Sequence, residues 1–105
     1  MPKGYVIFTE DIHDEAQINA YVQQAIPTIL RAGGQVLVAD DAPELIEGSW
    51  HGKRTVLLEF ESVEAARNWY RSAEYQGLAG QRHAAADSNA HTGLRASMIP
   101  AGAGP

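Results

Sequence analysis

Glu59 is the carboxylate with the clearest prospect of chemistry in this chain, because it interrupts an otherwise apolar run, Thr55-Val-Leu-Leu-Glu-Phe60. A carboxyl buried there has a raised pKa unless it is paired, which suits a general acid or base. The competing expectation is a structural ion pair with Arg54, Arg82 or Arg95. Trp50-His51 follows Glu47-Gly48 in a segment rich in breakers. An imidazole there titrates near neutrality and suits proton transfer, and the adjacent indole would wall an aromatic pocket. The alternative for His51 is a solvated loop side chain. Trp69, Tyr70 and Tyr75 recur at spacings typical of helix core, and a post-helix turn at Tyr75 would aim its hydroxyl into a cleft. Arg82 has the geometry to hold a carboxylate bidentately, or to pair with Glu59 or Glu74. The expected catalytic set is therefore Glu59, His51 and Tyr75, with Arg82, Trp50, Arg54 and Trp69 binding a small ligand between sheet and helices.

Other chemistries find less support. His13, His51, His83 and His91 show no i, i+3 or i, i+4 pairing and no adjoining glutamate, so no metal site is expected. A single histidine would suffice as an axial haem ligand, but no spacing selects one. With no cysteine, thiolate metal sites, disulfides and a cysteine nucleophile are excluded. Gly33-Gly34 ends a helix instead of opening one, so it is no phosphate loop. The expectation is a site without a bound cofactor.

These side chains need elements to hold them. The chain has 105 residues, 45% hydrophobic and 20% charged, the size and balance of one folded domain. A net charge of −5 gives no basic face for nucleic acid or anionic membranes. No apolar run approaches a membrane span, and Met1-Pro-Lys-Gly-Tyr5 has no signal-peptide character. Cytoplasmic location is the resulting expectation. Tyr5 to Glu10 is rich in β-branched and aromatic residues and predicts a strand. Asp14 caps a helix with Gln17 in capping-box spacing, and Ile18, Tyr21, Val22, Ala25, Ile29 and Leu30 form its apolar stripe. Pro27 predicts a kink before Gly33-Gly34 closes the helix near Arg31. Gln35–Ala39 is a second strand, residues 40–53 a loop, and Arg54–Phe60 a third strand. Ser62 caps a second helix with Glu64 in its first turn. A short turn and a further helical piece follow from Ser72 to about Ala86, then a last strand over Thr92–Ile99. Residues 1–99 read as one domain, with a flexible tail over 100–105.

This order is a split βαβ repeat, an α+β, ferredoxin-like βαββαβ arrangement. It gives a four-stranded antiparallel sheet with two main helices on one face. Both faces of the first and third strands carry large apolar groups, while the helices cover only one. A homodimer pairing through the sheet face buries the other.

The segments Gly33-Gly34, Glu47-Gly48, Arg54, Glu59-Phe-Glu-Ser62, Ala65-Ala66, Trp69-Tyr-Arg-Ser72, Glu74-Tyr75-Gln76 and Arg82 resemble the domain of unknown function 1330 family. The resemblance runs from Gly4 to about Ile99 and is most specific from Glu59 to Gln76. It implies the dimeric α/β barrel superfamily, in which two ferredoxin-like sheets face each other. Relatives there include cofactor-free monooxygenases acting on aromatics, lactone isomerases, and haem-binding peroxidases and dismutases. That range carries no single reaction over to this chain by fold alone; the chemistry expected of the candidate residues is proton transfer or oxygenation on a small aromatic or carboxylated compound. A non-catalytic dimeric ligand-sensing or stress-related module, and haem binding, are the alternatives. Ala73 stands where the family often has proline, and Asp40-Asp41-Ala42 where glycines are common.

Overall fold

The structure is a computed structural model that describes residues 2–95. Its elements run β1 (Gly4–Ile12), α1 (Glu15–Arg31), β2 (Gln35–Asp40), β3 (Arg54–Phe60), α2 (Val63–Arg71), α3 (Ala73–Ala85) and β4 (Ala86–Arg95). All strand pairs are antiparallel, in the spatial order β2-β3-β1-β4. This is the ferredoxin-like α+β sheet that the element order implies.

Local chemistry sets the boundaries. Asp14 accepts from the Gln17 backbone N–H, satisfying a free donor at the start of α1. At its end the Gly34 N–H bonds the Ile29 carbonyl and the Gly33 N–H that of Leu30, with Gly33 at φ +78°. That is the Schellman closure, and it requires a residue tolerant of the left-handed region. The expected kink at Pro27 does not interrupt the element, which continues as one helix to Arg31. Ser72 serves two helices, its hydroxyl donating to the Trp69 carbonyl and accepting from the Tyr75 N–H. Ala73 is consequently the first helical residue of α3, a position proline also fills without loss of a hydrogen bond.

Two expectations change. The short helical piece after Ser72 is a full third helix. The last strand begins at Ala86, six residues before Thr92; the continuation to Ile99 and the 100–105 tail lie outside the described residues. The early part of β4 is hard to read because its alternate positions Ala86, Ser88 and Ala90 are all small. They match the register of Ile12, Glu10 and Phe8 on β1, beneath the helical layer. At the buried Ala86 and half-buried Ser88, large apolar residues, the usual mark of a strand, have little room.

The helices cover one face. Val6, Phe8, Leu58 and Phe60 point into it and meet Ile18, Tyr21, Ala25, Ile29, Ala66, Trp69, Tyr75 and Ala79 in one core. Tyr5, Ile7, Thr9, Thr55, Leu57 and Glu59 point the opposite way. Among the described residues no helix is long and apolar enough to cross a membrane.

Candidate functional site

The inner face carries more polarity than a core requires. Glu10 has the same parity as Val6 and Phe8 and is only 3% exposed. Its backbone is pinned from the loop side. Lys53 N–H bonds the Glu10 carbonyl at 3.0 Å, and Gly52 packs so closely that any Cβ would strike the Glu10 backbone. Directly opposite in the register stands Arg54, whose Nε lies 2.9 Å from Asp41 Oδ1. The approach is an ion pair without hydrogen-bond alignment, so the buried Nε–H has no acceptor among the described residues. Burial pushes the Glu10 carboxyl above its ordinary range, and the Arg54 and Arg82 charges only partly offset it.

Behind Glu10, α1 and α3 bring a second polar group together. The Tyr21 and Tyr75 hydroxyls are 2.7 Å apart, either able to donate, and Arg82 Nε donates to the Tyr75 oxygen at 3.1 Å. Arg82 is 2% exposed, also bonds Ser88 and His83, and sits 4.8 Å from the Phe8 ring centroid. Burial works against its charge, but the Tyr75 and Tyr21 oxygens outweigh that and hold it protonated. Burial also raises both tyrosines, so they remain neutral donors. Trp69 closes the set: its ring lies 4.2 Å from that of Tyr75, and its indole N–H bonds Thr28 Oγ1 at 2.9 Å.

A cleft of about 100 Å³ opens beside these groups, between α1 and the sheet. Its body is apolar, formed by Phe8, Ala25, Ile29, Val56, Leu58 and Trp69; Glu10, Arg54 and Tyr21 supply its polar atoms. Ile26 on α1 and Val36 on β2, both exposed, flank its entrance. On the far side of Glu10 and Arg54 lies a second, polar cleft with Asp11, Glu15, Asn19, Asp41 and Lys53. Glu10 and Arg54 thus form the wall between a dry space and a wet one.

The expected residues divide between the two faces of the sheet and do not share one pocket. Tyr75, Arg82, Arg54 and Trp69 belong to the inner face; Glu59, His51 and Trp50 belong to the outer. Glu59 is half-buried, accepts from Tyr5 Oη and Gln35 Nε2 at 2.9 Å each, and is held below the ordinary carboxylate range by those bonds. The expectation for it was either a raised pKa or an arginine partner; its pKa is lowered, and among the described residues its side-chain partners are Tyr5 and Gln35, the Arg95 side chain lying outside them. The reason is parity: Glu59 shares its face with Leu57, and that face turns away from the helices. Arg82 pairs with neither Glu59 nor Glu74; Glu74 meets Arg31 instead. His51 Nδ1 lies 2.9 Å from Thr9 Oγ1, and its Nε2 lies 3.7 Å from Asp87. Trp50 donates to Thr55 Oγ1 on the same outer side.

Glu10 and Tyr21 are inner-face groups outside the expected set. For Glu10 a signal existed: alternation with Val6 and Phe8 places a carboxylate on the core face. Tyr21 was indistinguishable from an ordinary member of an apolar stripe. Among the described residues no cluster of three or more histidines and carboxylates is arranged to hold a metal ion.

The family described as a domain of unknown function, DUF1330, matches residues 3–92. A comparison with curated proteins found no match. Among solved structures, a protein of unknown function from Rhodopseudomonas palustris superposes with a TM-score of 0.75 at 19% identity, covering 93% of this chain and 85% of that one. SnoaB, a cofactor-independent oxygenase from Streptomyces nogalater, gives a TM-score of 0.68 at 12% identity, covering 95% and 99%. At such identities the likeness is one of fold.

Proposed function

The chain belongs to the DUF1330 family, and from that premise we propose that it is a small-molecule protein whose ligand occupies the cleft between α1 and the sheet, with Glu10 as the proton-transfer group. One observation carries this reading: a carboxylate 3% exposed, with its pKa raised, at the end of an apolar cleft that opens to the surface. A carboxyl moved towards neutrality exchanges protons with weak carbon or oxygen acids more readily than a solvated one. Tyr75, Arg82 and Trp69 act as positioning residues around it. Removal of a proton leaves an electron-rich anion, and such an anion reacts with dioxygen directly, so oxygenation is a further step open to this site. The fold shared with a cofactor-independent oxygenase is consistent with that step. The cleft has room for about one ring, which disfavours haem as the occupant.

The assembly proposed is a homodimer through the outer sheet face, in a cytoplasmic setting. Val38, Leu57 and Ile7 are register neighbours across three strands there, with Leu94 beside Tyr5 on the fourth. Val38 is 41% and Leu94 42% exposed, a row of apolar surface that a second sheet would cover.

Phenylpyruvate tests the functional reading, since its benzylic C–H is acidic and its single ring suits the cleft. In deuterated water the wild-type protein is expected to accelerate benzylic exchange and Glu10→Gln to lose that acceleration. Wild-type binding without acceleration would remove the catalytic half of the proposal. Acceleration untouched in Glu10→Gln would move the chemistry elsewhere.

A further inference from the structure

Resting on the cleft reading above, we infer that its ligand is a one-ring or similarly compact monocarboxylate, bound with its carboxylate on Arg54 and its apolar body beneath α1. The first ground is the unsatisfied donor. A buried guanidinium N–H without an acceptor is costly, and few such groups persist in folded proteins. Asp41 is close enough to attract Arg54 but is mostly exposed and out of line with the N–H bond. A ligand carboxylate at this end of the cleft would displace the exposed Asp41 from the guanidinium and supply the aligned acceptor that Asp41 does not.

The second ground is the distribution of charge. Arg54 from β3 lines the Glu10 end of the cleft, and the buried Arg82 guanidinium from α3 lies near enough for its charge to act on Glu10. The negative group on the dry side is Glu10, whose burial disfavours its charged form; Asp41, Asp11 and Glu15, with the cation of Lys53, are exposed on the polar side, where water screens them. Tyr21, facing from α1, stays neutral. A further anion is therefore better matched to this end than a neutral or cationic head.

The third ground is the division of surfaces. From Arg54 towards Trp69 the cleft is lined by Val56, Leu58 and Ile29, while the space beyond Arg54 is polar. An amphiphile with its head at the wall and its ring on the dry side satisfies both. A carboxylate on a guanidinium forms charge-assisted bonds stronger than those of a neutral acceptor. The expected discrimination against an uncharged analogue is about tenfold or more.

Benzoate, benzyl alcohol and benzylamine share the ring and differ in the charge of the head. Their binding can be followed on the two indole N–H signals, because Trp69 lines the cleft and Trp50 lies on the outer side. Benzoate is expected to shift Trp69 and leave Trp50 unmoved, to bind at least about tenfold tighter than benzyl alcohol, and to exceed benzylamine by more. Arg54→Gln should abolish that preference. Asp41→Asn, a change at an exposed side chain that spares the core, should tighten benzoate severalfold. Equal binding of benzoate and benzyl alcohol at Trp69, or an unchanged preference in a folded Arg54→Gln, overturns the carboxylate inference and leaves the cleft reading standing. Failure of all three to move Trp69 removes both.

Discussion

The two faces of the sheet hold similar residues in opposite conditions. Each has a glutamate, a tyrosine and a nitrogen donor: Glu10 with Tyr21 and Arg54 inside, Glu59 with Tyr5 and Gln35 outside. On the outer face Glu59 receives two hydrogen bonds, and its charged form is favoured. On the inner face Glu10 receives none from a side chain among the described residues, and burial favours its neutral form. Residue type alone therefore does not mark a site. The difference lies in who donates to the carboxylate and how much water reaches it. A hydrogen-bonded, solvated carboxylate supports structure or an interface; one largely withdrawn from water without a side-chain donor is held towards neutrality and suits proton transfer.

The largest expected effect falls on the outer face. Leu57→Lys places a charge between Val38 and Ile7, where a partner sheet would bury it unpaired. It should raise the dimer dissociation constant by at least about a hundredfold, as read by sedimentation equilibrium. Cleft binding at Trp69 should persist in the resulting monomer. A Leu57→Lys protein that stays dimeric would mean that this face is not the interface.

A smaller effect separates the tyrosines. Tyr75→Phe deprives Arg82 Nε and Tyr21 of a buried partner and should cost about 1–3 kcal/mol of stability in denaturant unfolding. Tyr5→Phe removes a 2.9 Å bond to Glu59, yet at a solvated position where water replaces it. It should leave the unfolding midpoint unchanged in the monomeric background. Equal losses from the two would show that the faces do not differ in the way described.

Much of this arrangement was legible in the residues. The capping pair Asp14 and Gln17, the glycine closure at Gly33-Gly34 and the period-two strands gave the element order, and that order carries its sheet topology. The β4 start was not legible, because Ala86, Ser88 and Ala90 look like helix or loop; only the packing over Ala86 and Ser88 explains why small side chains stand in a strand there. The candidate site was legible in part. The residue types of Tyr75, Arg82, Arg54 and Trp69 point to a site, and the four do gather on one face. Glu59 was marked because it interrupts an apolar run, but strand parity, applied to it as to its neighbours, sends it outward with Leu57. The same parity sends Glu10 inward with Phe8. Whether a loop histidine such as His51 folds over one face or the other depends on how residues 41–53 cross the sheet edge. No local pattern encodes that path; the close packing of Gly52 on Glu10 does.

The contrast between the two carboxylates also has a pH signature. Relative to the ordinary value of 4.5, Glu10 is raised and Glu59 lowered in the folded chain. For Glu10 the fold binds more protons than the unfolded chain above pH 4.5, so its contribution to stability is lost as pH rises through its folded pKa. For Glu59 the unfolded chain binds more protons, so its contribution is present above pH 4.5 and is lost as pH falls through its folded pKa. Carbon-13 detection of the two side-chain carboxyls across an acid titration, with Glu10→Gln and Glu59→Gln for assignment, measures this directly. The account predicts Glu10 titrating above 4.5 and Glu59 below it. Coincident curves, or the reverse order, would contradict the claim that the reactive carboxylate lies on the inner face.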